Sequence, residues 1–108
     1  MREVEYEHEL SEGVFVRVRF WRERKHIQRF TVQLERIYEG ERQIIIRYDT
    51  SHGFAHSDTA RPNRPNLKIE LNMDFNQAFT HAQRDLAQNW KFYCERYERW
   101  LRESKSKN

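Results

Sequence analysis

From Asp74 to Leu101 the chain contains neither glycine nor proline. Its apolar residues Phe75, Ala78, Phe79, Ala82, Leu86, Trp90, Tyr93, Tyr97, Trp100 and Leu101 recur at helical spacing. Asp74, with Gln77 three residues on, reads as an N-cap. The pattern predicts one helix over residues 74–102, roughly 40 Å long at 1.5 Å per residue. A domain of this length has a radius of gyration of about 13 Å. The helix end carrying Tyr97, Trp100 and Leu101 is therefore expected to project and to form an interface with a partner or a second copy.

Everything before the helix reads as strand and turn. In VFVRVRFW, Val14, Val16, Val18 and Phe20 share one face, and Arg17, Arg19 and Trp21 share the other. WRERKH is the polar turn that follows. Ile27 to Tyr38 predicts a second strand with Phe30, Val32 and Leu34 inward, and EGER a short hairpin connection. QIIIRYD predicts a third strand, its isoleucine run suggesting cover on both faces. A short fourth strand is expected near Phe54 to Asp58, then a loop at ARPNRPN and a last strand at LKIEL. Strands first and one helix last predict an α+β fold: an antiparallel meander of four to five strands packed on a long C-terminal helix. The expected single domain spans residues 1–108, with a loose acidic lead-in over 1–12, the sheet over 14–71 and a disordered basic tail over 103–108.

Composition narrows the class. Hydrophobic residues are 37% and mean hydropathy is −1.10, yet aromatic residues reach 14%, which favours a folded domain with an aromatic core. Cys94 is the single cysteine, so an intrachain disulfide and a cysteine-based zinc site are excluded, and it reads as a small core residue. MREVEYEHEL has no apolar signal region, and no run approaches the ~20 apolar residues of a membrane span. A cytoplasmic chain without membrane contact is expected.

The net charge of +3 conceals segregation. Glu3, Glu5, Glu7, Glu9 and Glu12 open the chain, whereas Arg17, Arg19, Arg22, Arg24, Lys25 and Arg29 crowd the first predicted hairpin. Arginine pairs with phosphate and an indole stacks on a base, so these cations with Trp21 form a candidate RNA-binding surface. An exposed face covered by another protein chain is the competing reading.

RYDTSHGFAHSD concentrates reactive side chains. His52 and His56 could act as general acid and base, with Asp49 orienting one imidazole and Arg47 and Tyr48 stabilising phosphate charge. That set suits metal-independent RNA cleavage and calls for no cofactor. A metal held by His52 and His56 with Asp58, or with Asp49, is a second reading. In an extended strand these imidazoles lie about 13 Å apart, so convergence requires a bend at Gly53. The third reading is a tight turn closed by side-chain hydrogen bonds of Asp49, Thr50 and His52, with Gly53 at positive φ and Phe54 in the core.

The same stretch, followed by DFNQAFTHAQRDLAQNW, resembles a small, poorly characterised prokaryotic family. Its signature matches Arg47, Tyr48, Asp49, His52, Gly53, Phe54, His56 and Asp58, then Asp74, Phe75, Asn76, Asn89 and Trp90. More distantly, the chain is similar to TumE-type toxins of toxin–antitoxin pairs, although it lacks their closely spaced His-x-His. That resemblance implies a toxin-like endoribonuclease with an antitoxin partner. The alternative is a non-catalytic interaction module, or the antitoxin itself, using the basic hairpin and the aromatic helix.

Overall fold

The structure, a computed structural model, describes residues 1–106. It consists of a six-stranded antiparallel sheet in the order β1-β2-β3-β4-β5-β6, with one helix across one face. The strands are β1 Arg2–Ser11, β2 Val14–Glu23, β3 His26–Tyr38, β4 Glu41–Asp49, β5 His56–Thr59 and β6 Leu67–Glu70, and the helix α1 is Phe75–Ser106.

The predicted α+β meander on a C-terminal helix is present, with one strand more than expected. Residues 1–12, expected to be a loose or short-strand lead-in, supply β1, a full strand of 10 residues. Val4, Tyr6 and Leu10 of β1 are half-buried on the helix side. Its glutamates face the arginines of β2: Glu7 opposes Arg17 and Glu5 opposes Arg19. Opposite charges directly across a ladder stabilise the pair and offset the poor strand propensity of glutamate. The acidic run and the start of the basic one, Arg17 and Arg19, are thus the two halves of one hairpin, whereas Arg24, Lys25 and Arg29 belong to the next turn and β3.

Val14, Val16, Val18, Phe30, Val32 and Leu34 form the core with Ala78, Ala82, Leu86 and Cys94 of α1. The three small helix residues Ala78, Ala82 and Cys94 let the helix lie close to the sheet, and Phe79 packs its ring on Phe20 and Phe30. The isoleucine run has a different cause from double cover. Leu34 opposes Ile46 and Glu35 opposes Ile44, leaving Ile45 as the extra residue of a bulge. Ile45 and Ile46 both enter the core, at 1% and 3% exposed, while Ile44 lies on the opposite face at 37%.

The helix starts at the predicted cap: Asp74 Oδ1 accepts from the Gln77 N–H at 2.8 Å. Asn76 then ties the first turn to the β2–β3 hairpin, accepting from the Ile27 N–H and donating to the Lys25 carbonyl, each at 2.8 Å. The far end does not project. β3 has 13 residues, spanning roughly 43 Å at 3.3 Å per residue, so the sheet runs nearly the length of the helix. The molecule is accordingly elongated, 51 × 28 × 21 Å with a radius of gyration of 14.6 Å. Tyr97 packs on Tyr38 at 5.5 Å between centroids, and Trp100 lies under the Arg64 and Arg96 guanidiniums. Tyr97, Trp100 and Leu101 are each half-buried within their own chain. The expected disordered tail is likewise helical through Ser106, where Asn63 bonds Ser104 and Lys105 pairs with Glu39. Residues 107–108 of that expected tail lie outside the described residues.

Candidate functional site

The helix covers one face of the sheet and leaves the other open, so side-chain parity decides which residues can meet a ligand. Antiparallel register aligns rows across the open face. One row is Glu5, Arg19, Thr31, Asp49, His56 and Glu70; the next is Glu7, Arg17, Gln33, Arg47, Asp58 and Lys68. Trp21 and Arg29 face each other beyond the first row. Trp21, Arg29, Asp49 and His56 come from three separate parts of the sequence and meet at one end of the open face.

The chain does fold back at Gly53, which has φ +84°, but His52 before it is also left-handed at φ +71°. Two successive residues of positive φ close a single turn, Ser51–Gly53, between β4 and β5. Two bonds fasten its entry. Thr50 Oγ1 accepts from the buried Phe30 N–H at 3.1 Å, and the Gly53 N–H donates to the Thr50 carbonyl at 3.2 Å. The reversal sets His56 directly opposite Asp49, where Nε2 donates to Asp49 Oδ1 at 2.8 Å. The same oxygen accepts from the Ser51 N–H at 3.2 Å and its hydroxyl at 3.0 Å.

This geometry fixes chemistry as well as position. A carboxylate only accepts, so His56 carries a proton on Nε2 and its other nitrogen, Nδ1, is the one available for proton transfer. Nδ1 lies 3.4 Å from the Phe54 carbonyl, a long contact that becomes a hydrogen bond only when the ring carries its second proton. The His52 ring is 6.2 Å from that of His56, centroid to centroid, with its plane tilted by 32°. His52 and Phe54 are exposed, so Phe54 is not the core residue that the turn reading expects.

Beside Asp49 is a pocket of about 320 Å³ walled by Trp21, Arg29, Thr31, Asp49 and Ser51. The Arg29 guanidinium sits 3.9 Å from the Trp21 ring centroid and that of Arg19 4.6 Å. The candidate cations divide into two groups. Arg19 pairs with Glu3 at 2.8 Å and with Glu5 at 3.5 Å. Arg17 pairs with Glu35 at 3.4 Å and with Glu7 at 3.7 Å. Among the described residues, no ion pair engages Arg22, Arg24, Lys25 or Arg29.

Other members of the motif lie elsewhere. Tyr48 points to the helix side, 5% exposed, and its hydroxyl donates to Asp85 Oδ2 at 2.6 Å. It cannot reach a phosphate on the open face, because neighbours in a strand point to opposite sides. Tyr93 also donates to Asp85, at 2.7 Å to Oδ2, and Asn89 donates to Oδ1 at 2.8 Å. Burial, reinforced by Asp85, pushes the Tyr48 hydroxyl well above its ordinary range and that of Tyr93 up to about 12. Arg47 is on the open face but donates to Gln33 Oε1 at 3.0 Å, and its cross-strand neighbour is Asp58. Among the described residues, no three His, Cys, Asp or Glu side chains are gathered to hold a metal ion. The conditional set His52, His56 and Asp58 is therefore not assembled, since Asp58 sits two residues along β5 beside Arg47.

Thr31 and Ser51 are site residues that periodicity alone does not reveal. Thr31 enters by register opposite Asp49, and Ser51 by its bonds to that carboxylate. The sequence signal for Ser51 is the Asp-Thr-Ser order itself, which suits an Asx-type turn.

No helix of the described residues is long and apolar enough to cross a membrane. No curated protein and no solved structure gives a significant match to the chain. A family model does match, covering residues 1–103, nearly the whole length. The chain belongs to this family, a domain of unknown function designated DUF7718.

Proposed function

We propose that the open face binds single-stranded RNA and cleaves it without a metal, as in a toxin-like endoribonuclease. The observation that supports this most is the Asp49–His56 pair, held at 2.8 Å, whose carboxylate lines a pocket that also presents Trp21 and Arg29. Arg29 with the neighbouring Arg22, Arg24 and Lys25 supplies positive charge for the backbone, and a base stacks on Trp21 by displacing a guanidinium that now lies against the ring. His56 Nδ1 takes the proton of a ribose 2′-hydroxyl, whose oxygen attacks the adjacent phosphorus. The bond to the 5′-oxygen breaks, and His52 delivers a proton to that leaving group. A 2′,3′-cyclic phosphate and a 5′-hydroxyl end result, with no net consumption of protons. Asp49 is a positioning residue, fixing the tautomer of His56 through Nε2.

The test is incubation of the purified chain with RNA in EDTA, beside the His56→Ala variant. Cyclic-phosphate ends from the wild type, and their loss from the variant, support the reading. Equal background cleavage by both would end it. An antitoxin-like protein covering this face is the partner that the reading implies, and its binding should block the pocket.

The rival interaction-module reading draws on the exposed apolar residues Phe92, at 55%, and Ile69, at 49%. It expects no turnover and no effect of the histidine change on association.

A further inference from the structure

A meander of six strands has two free edges, and here they differ in character. Edge strand β1 carries Glu3, Glu5, Glu7 and Glu9 at alternate positions. In any antiparallel self-pairing that keeps sheet faces matched, glutamate meets glutamate, so this edge repels a second copy. Edge strand β6 has no such guard. All four of its residues are exposed, and Leu67 and Ile69, at 38% and 49%, turn apolar side chains to the helix side without cover.

The backbone of β6 determines which groups are free. The Leu71 N–H donates to the Ala55 carbonyl at 2.9 Å, towards β5. Hydrogen-bonding direction alternates along a strand, so Leu67 and Ile69 also bond towards β5, and Lys68 and Glu70 direct their N–H and C=O groups outward. An approaching strand must therefore pair with Lys68 and Glu70. For antiparallel pairing of β6 with itself, three registers use these groups. One sets Lys68 against Lys68, one sets Glu70 against Glu70, and one sets Lys68 against Glu70 at both ends. The last places Ile69 on the axis and Leu67 opposite Leu71, so LKIEL is complementary to itself in charge and in apolar content.

We propose that a second copy of this chain docks on this edge, β6 against β6, about a two-fold axis through Ile69. Lys68 and the partner's Glu70 exchange two backbone hydrogen bonds, and their side chains form an ion pair on the open face; the symmetric pair repeats both. The two Ile69 side chains meet on the helix side. With only five residues of each copy in the ladder, the contact belongs to the weak, concentration-dependent class. It joins both open faces into one surface, with the β5 strands roughly 14 Å apart across three strand spacings. The pairing stands independently of the RNA reading.

Sedimentation equilibrium over a series reaching high micromolar concentration tests the proposal through charge reversal. The wild type is expected to dimerise. Lys68→Glu and Glu70→Lys, each alone, are expected to weaken the dimer on the order of tenfold or more, because like charges then oppose at both ends. An equimolar mixture of the two variants is expected to dimerise again, since it sets two acidic positions against two basic ones. The double variant in a single chain is expected to behave like the wild type. Melting temperatures within a degree or two of wild type exclude unfolding as the cause. A wild type that stays monomeric, a single variant that dimerises as the wild type does, or a mixture that stays monomeric overturns the proposal.

Discussion

Asp49 and Asp85 each gather several hydrogen-bond donors, one on either side of the same sheet, yet their surroundings make them different chemical objects. Asp85 sits between α1 and β4, where Tyr48, Tyr93 and Asn89 occupy both of its oxygens. Every donor there is spent within the chain. Asp49 also takes several bonds, from His56 and Ser51, but it does so on the rim of an open pocket. Its imidazole partner retains a nitrogen that can act on something else. Polar clusters in a closed interface hold a fold together, whereas the same groups beside a pocket can do chemistry.

The largest expected effect falls on the open side. His56→Ala should lower RNA cleavage in EDTA at least ~100-fold, the usual contribution of a positioned acid or base, while the chain stays folded and loses only the stability of the Asp49 bond. Asp49→Asn should produce a smaller loss, and a changed pH–rate profile would separate positioning from mere packing. On the closed side, Asp85→Ala removes the acceptor of two tyrosine hydroxyls. It should cost about 1–3 kcal/mol of stability in urea unfolding, with RNA cleavage per folded molecule unchanged.

Alkaline pH should distinguish the two clusters next. The Tyr93 hydroxyl, ordinarily near 10, is pushed up to about 12 in the fold, chiefly by burial and then by Asp85. The folded state therefore holds the proton more tightly. Its stabilising effect is complete below pH 10 and is lost as pH rises through about 12. Urea midpoints should fall over that window, and Tyr93→Phe should flatten the fall. A midpoint that drops equally in the variant would remove Tyr93 from the account.

The smallest effect concerns the cations. Arg29→Ala should weaken RNA binding several-fold in low-salt fluorescence titrations. Arg19→Ala should change it less than about twofold, because Glu3 and Glu5 already hold that charge. Equal losses at both positions would erase the distinction between paired and unpaired arginines.

Much of this arrangement follows from patterns visible in the sequence. Valines alternating through β2 define the inward face, and uninterrupted helical spacing after Asp74 defines α1. Other features depend on the partner across the ladder. Glu3 to Glu9 look unlike a strand until Arg17 and Arg19 lie opposite, so β1 is legible only with its neighbour. The length of β3 determines whether Tyr97 and Trp100 are covered, and helix length alone carries no information about it. In RYDTSHGFAHSD the reactive residue types are plain, but the bulge at Ile45 and the turn at His52 and Gly53 decide their faces. Those backbone features send Tyr48 to Asp85 and bring His56 to Asp49.

The comparison between the two carboxylates is tested most directly by measuring cleavage and melting together on His56→Ala and Tyr48→Phe. The account expects His56→Ala to stay folded, melting modestly lower for loss of the Asp49 bond, and to leave RNA intact in EDTA. It expects Tyr48→Phe to melt lower and still produce cyclic-phosphate ends at the wild-type rate. Undiminished cleavage by His56→Ala, or loss of cleavage in a folded Tyr48→Phe, would contradict it.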